Sequence, residues 1–299
     1  MNKQILLFFF LLIGFVAEAQ MVLKRGMVIK KTTKIKKGTY LLNGYDSLSK
    51  GAIVIEGSNI TVDFNNAVLK GSSGKAKPDE FYGVAVIIKS GKNITIKNLT
   101  AKGYKVAILA RNVDGLKIEN CDFSYNYRQR LNSTQEKEAI SDWMSYHRNE
   151  ADEWLRYGAA IYLHGCNNAV ISSNKVTGGQ NSLMMTECNL AVIYNNDFSF
   201  NSGIGIGFYR SSNNRVQHNR VNFNVRGYSH GVYSRGQDSA GLLVYEQSNS
   251  NLFYKNSATH SGDGFFLWAG QTTMDTGKGG CNDNQVMYND FSYAPTNGV

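Results

Sequence analysis

Residues 169–196 read AVISSNKVTGGQNSLMMTECNLAVIYNN, and the phrase that opens them, AVISSN ending at Asn174, returns 22 residues later as AVIYNN ending at Asn196. The same short apolar run closed by asparagine stands at NITIKN (Asn98), GLKIEN (Asn120), NRVQHN (Asn219), NLFYKN (Asn256) and NQVMYN (Asn289). Close copies lie 22 residues apart (98 to 120, 174 to 196) or 23 apart (196 to 219), while gaps of 54, 37 and 33 hold one or two periods plus an insertion. Self-similarity at this period marks a solenoid, whose repeated unit cannot bury its apolar face without a neighbour. One asparagine per coil predicts an amide ladder along the axis, each side chain bonding those above and below.

Between the asparagines lie short apolar runs bounded by Gly, Asn or Ser: Gly51-Ala-Ile-Val-Ile, Val84-Ala-Val-Ile-Ile, Val106-Ala-Ile-Leu-Ala, Ala159-Ala-Ile-Tyr-Leu, Ile204-Gly-Ile-Gly-Phe and Gly241-Leu-Leu-Val-Tyr. Each period thus holds two or three short strands and no helix, which sets it apart from leucine-rich repeats. From about residue 50 to 299 the phrasing resembles the right-handed parallel β-helix of the pectate-lyase-like superfamily, with its carbohydrate-binding and sugar-hydrolase repeats. The resemblance implies an all-β, right-handed parallel β-helix over 51–299, preceded by a cap strand region over 20–50. For chemistry it implies only a range, since lyases, hydrolases, epimerases and non-catalytic binders share that scaffold.

The first 19 residues combine Lys3, an apolar run from Ile5 to Val16 and an Ala17-Glu18-Ala19 tail, which is the pattern of a cleavable secretory signal. No run is long enough to span a bilayer. A secreted or periplasmic, monomeric protein is therefore expected. Cys166 and Cys188 lie one period apart and should stack on successive coils, as a free pair or as a disulfide; Cys121 and Cys281 have no evident partner.

A net charge of +9 and a run of lysines at Lys24, Lys30, Lys31, Lys34, Lys36 and Lys37 call for an acidic partner. No recognition helix or zinc pattern accompanies the charge, so an anionic polysaccharide is expected in place of nucleic acid. The plainer alternative is a lysine-rich first coil that keeps a sheet edge soluble.

Residues beyond the period are loops, and loops on a rigid scaffold carry function. A polar excursion covers about 71–82. The insertion 126–158 has Ser133 and Glu136 as a capping box, then Ile140, Trp143, Met144, His147, Ala151, Trp154 and Leu155 at helical spacing, which predicts an amphipathic helix or hairpin packed on the barrel by its Trp face. The insertion 225–238 gathers Arg226, Tyr228, His230, Tyr233, Arg235 and Asp238 among three glycines. A fourth stretch, about 270–280, follows Trp268.

Counting back from the asparagines places His164, Tyr209 and Glu246 in one outward column, Glu187 and Arg210 beside it, and Tyr245 and Trp268 inward. His230, Tyr228, Asp238 and Glu246 are the candidate catalytic groups, with Arg210, Tyr209, Arg235, Glu187 and Asp263 binding substrate. In uronate elimination an Arg neutralises the carboxylate while His and Tyr move protons. In glycoside hydrolysis, Glu246 would pair with Asp238, Glu187 or Asp263. A glycan binder that cleaves nothing, or a structural surface protein, is the alternative. No cofactor or metal ligand set is assigned, Ca²⁺ being the one ion such carboxylates could hold. The polygalacturonase, pectate-lyase and alginate-epimerase motifs of the superfamily are missing. Gly298-Val299 aligns with Gly264-Phe265 inside a coil, so a truncated piece of a longer chain is expected.

Overall fold

The computed structural model describes residues 20–134, 136–137, 139–142, 144, 153–226 and 239–299. Two long parallel sheets run the length of the molecule. One has nine strands in the order Met27–Ile29, Gly51–Ile55, Val84–Ile88, Val106–Arg111, Ala159–His164, Leu183–Thr186, Ile204–Tyr209, Ala240–Tyr245 and Asp263–Trp268. The other has ten, centred on Ile60–Lys70, Ile94–Lys102, Lys117–Glu119, Val170–Ser172, Val192–Tyr194, Arg215–Gln217, Leu252–Tyr254 and Gln285–Met287. Every pairing is parallel, and each coil pairs only with the coil before and after it, as a solenoid of the read period requires. Strands Met27–Ile29, Thr33–Lys34 and Thr39–Leu41 pair directly with the next coil, so 20–50 already forms the first coil of the stack.

The core is a column of inward side chains at one position per coil, such as Leu163, Met185, Phe208 and Val244, all fully buried. Alternation along each strand sends the intervening residues outward. The outer face of the nine-stranded sheet is also apolar, with Leu109, Tyr162, Met184 and Leu243 buried beneath Met144, Trp154 and Leu155. The insertion over 126–158 therefore packs on the barrel wall by its tryptophan, as its pattern required. Its local form differs: among the described residues it makes two 3₁₀ turns, Ile140–Asp142 and Glu153–Tyr157. The expected capping box does not form. Ser133 Oγ donates to Asp142 Oδ2 (2.6 Å) and accepts from the Ala139 amide (2.9 Å), closing a polar loop. Trp143, His147 and Ala151 lie outside the described residues.

The asparagine ladder is present, with one correction. Asn174, Asn196, Asn219 and Asn256 each donate Nδ2 to Oδ1 of the next asparagine at 2.9–3.0 Å, the last being Asn289. Asn98 and Asn120 are not rungs. Register pairs Glu119 with Ser172, so Cys121 stands beside Asn174 and Asn120 beside Ser173. Asn98 and Asn120 instead occupy a turn position with φ of 57°. Asparagine tolerates that left-handed backbone, which is why the letter recurs one place early. Two further ladders escaped the sequence reading: Asn201 to Asn224, and Asn214 to Asn251 to Asn284.

Another left-handed row carries Phe200, Phe223, His260 and Tyr293 at φ of 56–63°. Their rings stack at centroid spacings of 4.8, 4.5 and 4.8 Å, the interval between strands. Stacking offsets the strain of a bulky residue at positive φ. All four cysteines are free thiols; Cys166 and Cys188 stack as expected, the Cys166 amide donating to Cys188 Sγ at 3.3 Å.

Candidate functional site

The nine-stranded sheet ends in a row whose register can be followed coil by coil. Arg111 pairs with His164, His164 with Thr186, Thr186 with Tyr209, Tyr209 with Tyr245, and Tyr245 with Trp268. This outward column corrects the counting in the last coils. Tyr245 and Trp268 stand there, in edge contact at 5.1 Å, while Val244 points inward. Glu246 belongs to the row that follows. Tyr209 stands ten residues before its ladder asparagine, Asn219, but Tyr245 stands eleven before Asn256: the turn after Tyr245 carries one extra residue, with Glu246 and Gln247 both at positive φ, so the count back slips by one.

That next row is the turn that leaves the sheet: Asn112, Gly165, Glu187, Arg210 and Glu246, all with φ between 34° and 62°. Asn and Gly accept this backbone at little cost, whereas a glutamate or an arginine stores on the order of 1 kcal/mol there. Three charged residues in succession at a strained turn form the most unusual feature of the wall. Such outliers concentrate at functional sites.

Their side chains pair across the coils. His164 Nε2 lies 3.6 Å from Glu187 Oε2, and Glu187 is half exposed. Arg210 Nη2 donates to Glu246 Oε1 at 2.9 Å, and its guanidinium lies 4.9 Å from the centre of the Tyr209 ring. Tyr209 is buried edge-on against Trp154, at 6.0 Å. Glu246 is 2% exposed. A second donor reaches it: Thr272 Oγ1, at 2.5 Å from the same Oε1. Thr272 belongs to a single turn of α-helix, α1 (Gln271–Thr276). The 270–280 stretch, read as a plain loop, thus lies on the Glu246 carboxylate. No sequence signal singles out Thr272, because the contact exists only once the two coils are stacked.

Of the residues read as a site, the structure brings Glu187, Tyr209, Arg210 and Glu246 together on three successive coils. Glu187 and Arg210 do not pair with each other; each has its own partner. Asp263 is elsewhere. It opens the strand that ends at Trp268, about 17 Å away at roughly 3.3 Å per residue. Burial pushes its carboxyl up, against a hydrogen bond from Asn297 Nδ2 at 3.1 Å. Two carboxylates that flank one glycosidic bond stand within about 10 Å, so Asp263 and Glu246 do not flank the same bond. Tyr228, His230, Arg235 and Asp238 lie outside the described residues. Among the described residues no group of three His, Cys, Asp or Glu side chains gathers to hold an ion.

The arrangement has defined chemical capacities. His164 with Glu187 is a partly exposed imidazole–carboxylate couple able to carry a proton. Arg210, fixed by Glu246, is a fixed cation for a carboxylate or a developing oxyanion. Glu187 and Glu246 are two coils apart, about 10 Å between backbones, near the carboxylate separation of inverting hydrolysis. The same outward column continues into the earlier coils as Lys30, Glu56, Lys89 and Arg111; Glu56 there bridges Lys30 (3.3 Å) and Lys89 (2.7 Å), both of which lower its carboxyl.

The sequence profile of the family described as "Right handed beta helix region" matches residues 145–277. No curated protein matches the chain in sequence. Among solved structures, it is similar to the DFA-IIIase of Arthrobacter chlorophenolicus A6 without its lid, at 12% identity and a TM-score of 0.55, covering 84% of this chain and 60% of that one. It is similar too to the same enzyme in complex with DFA-III, at 13% identity and a TM-score of 0.56, covering 90% and 63%. The chain spans about three fifths of the length of those structures. Stacked parallel sheets, coil-to-coil pairing and these likenesses agree on one architecture: the chain is a right-handed parallel β-helix protein.

Proposed function

We propose that this protein is exported and acts on an anionic polysaccharide, bound along the end of the nine-stranded sheet and processed where His164, Glu187, Arg210 and Glu246 meet. The observation that carries this reading is the pair of charged couples, His164 with Glu187 and Arg210 with Glu246, at strained turns on neighbouring coils. The basic residues Lys30, Lys89 and Arg111 of the same column, two of which flank Glu56, lead an acidic chain toward that centre. Likeness to an enzyme solved with DFA-III bound supports a sugar ligand for this fold. Within the site, His164 exchanges the proton and Arg210 holds the uronate carboxylate; His230, Tyr228 and Asp238 from the 225–238 insertion are the further acid–base groups, and Arg235 of the same insertion is a further substrate-binding group.

Incubation with alginate, polygalacturonate and neutral glycans tests it directly, reading unsaturated-uronate absorbance and new reducing ends. Turnover of a uronate polymer that falls at least a hundredfold in His164→Ala supports the reading. Turnover of neutral glycans alone removes the anionic assignment. A second reading, a glycan binder that breaks no bond, is favoured by one observation: Glu246 is buried under α1. Salt-sensitive retention on alginate or polygalacturonate gels, weakened by Lys89→Ala, with no product from any glycan, would select it.

A further inference from the structure

The cover on Glu246 has the construction of a part that moves. α1 has no buried residue, and Met274 near its middle is 71% exposed. It is bounded by glycines in backbone conformations that other residues avoid: Gly270 at φ 91° on one side, and Gly277, Gly279 and Gly280 at 68°, 106° and 100° on the other. Gly270 is needed for a second reason. A Cβ there would come within 2.5 Å of Glu246 Cγ, so only glycine lets the chain lie flat on that carboxylate. Among the described residues nothing apolar glues the turn down. Its side-chain tie to Glu246 is the Thr272 hydroxyl on Oε1; Thr273 bonds the Ala269 carbonyl just ahead of the segment, Thr276 the Thr272 carbonyl, and at the far end the Gly280 carbonyl accepts from the Gln247 amide (2.7 Å), which leaves the turn between held by Thr272.

We infer that residues 270–280 form a latched cover over Glu246, with Thr272 as the latch and a sugar hydroxyl as the group that replaces it. The inference rests on the reading of this wall as a glycan site. Thr272 presents to Glu246 what a saccharide presents, one aliphatic hydroxyl donating to a carboxylate oxygen. Arg210 stays in place beneath the exchange, because its bond to Oε1 comes from the preceding coil and not from the cover. A carboxylate buried in the closed state and hydrated when the glycine-flanked turn lifts becomes available only as saccharide arrives. Thr272 is thus a positioning residue, acting through Glu246. Local opening of this kind needs few buried contacts and exposed backbone, both of which α1 has. Hinges of this kind are short runs at element ends that absorb large φ/ψ changes.

The test needs no turnover and so stands apart from the test of the function itself. Carboxyl groups are labelled with a water-soluble carbodiimide and an amine, and peptides are read by mass; exposed Glu187 is the internal standard. In the wild type, Glu246 labels at least tenfold more slowly than Glu187. Thr272→Val, isosteric but unable to donate, narrows that gap tenfold, and hydrogen exchange of the 271–277 amides rises by a similar factor while the 204–209 strand is unchanged. Gly277→Ala strains the helix end without touching Glu246 and produces the same gain, which keeps the test decisive should Thr272→Val fold poorly. Glu246 labelling as fast as Glu187 in the wild type overturns the cover. Labelling and exchange unmoved by both substitutions overturn the latch.

Discussion

Replacing Asn196 by alanine separates a ladder asparagine from a turn asparagine, and the structure sets the size of the difference. The Asn196 amide donates to Asn219 Oδ1 (2.9 Å), to the Ile171 carbonyl (2.9 Å) and to the Tyr194 carbonyl (3.1 Å). Its Oδ1 accepts from the Asn174 backbone N–H and side-chain Nδ2, both at 3.0 Å. Asn196 is 2% exposed, so no water substitutes. Alanine leaves the buried Asn174 N–H without an acceptor and strips donors from two carbonyls. At about 1–3 kcal/mol for each buried group left unsatisfied, the loss is roughly 2–5 kcal/mol. Asn120 belongs to the same sequence phrase, yet its side chain is exposed at a left-handed turn, and Asn120→Ala loses only about 1 kcal/mol from the backbone. Urea unfolding followed by circular dichroism gives both values on one scale. Equal losses for the two substitutions, or a loss below about 1 kcal/mol for Asn196→Ala, refute the assignment of rungs.

Further outcomes can be checked in the same way. Arg210→Met leaves the Glu246 charge buried and unpaired and destabilises by about 3–5 kcal/mol; adding Glu246→Gln restores most of it in a double-mutant cycle. Burial raises the Asp263 carboxyl, so the folded state holds its proton to higher pH than the unfolded chain, and its cost to stability appears as pH rises through the folded pKa. Asp263→Asn, which keeps an oxygen for Asn297, should therefore be more stable than wild type at pH 7 and equal to it below the ordinary aspartate range, as measured by unfolding midpoints across pH. Burial pushes the Cys121 thiol up to about 12, and Cys188 is likewise raised and fully buried. Titration of the native protein with a thiol reagent at pH 8 should modify half-buried Cys281 first and reach Cys121 and Cys188 only after denaturant is added.

The repeat was legible because a solenoid writes its geometry into spacing: the 22-residue step, the strand runs and the insertion points all reappear as coils and breaks. What failed did so for definite reasons. Asn98 and Asn120 were grouped with Asn174 because asparagine serves two jobs one residue apart, capping a buried rung and tolerating positive φ. Glu246 takes the place of Tyr245 in a count of ten because the turn between Tyr245 and Asn256 is one residue longer than its counterpart between Tyr209 and Asn219. The apolar pattern over 133–155 reappears in the burial of Met144, Trp154 and Leu155, but at its start Ser133 closes on Asp142 and does not cap a helix; residues 145–152 lie outside the described residues. The site was half legible. Residue types on the wall could be named in advance, but the partners could not, since His164 with Glu187 and Glu246 with Thr272 join residues 23 and 26 positions apart, through stacking alone.

The three asparagine ladders share a direction. In each, Nδ2 of one coil donates to Oδ1 of the coil that follows, so the side-chain carbonyls face the first coils, while the same Nδ2 groups also donate back to main-chain carbonyls such as Ile118 and Ile171. Head-to-tail amides polarise one another and sum to an axial dipole, as peptide groups do in a helix. The solenoid is therefore electrically polar along its length, with its partial negative end toward the coils that carry Lys30, Lys31, Lys34, Lys36 and Lys37. The lysine-rich first coil stands beyond that negative end, so the charge on the surface and the order of the interior amides give the stack one electrical sense from its first coil to its last.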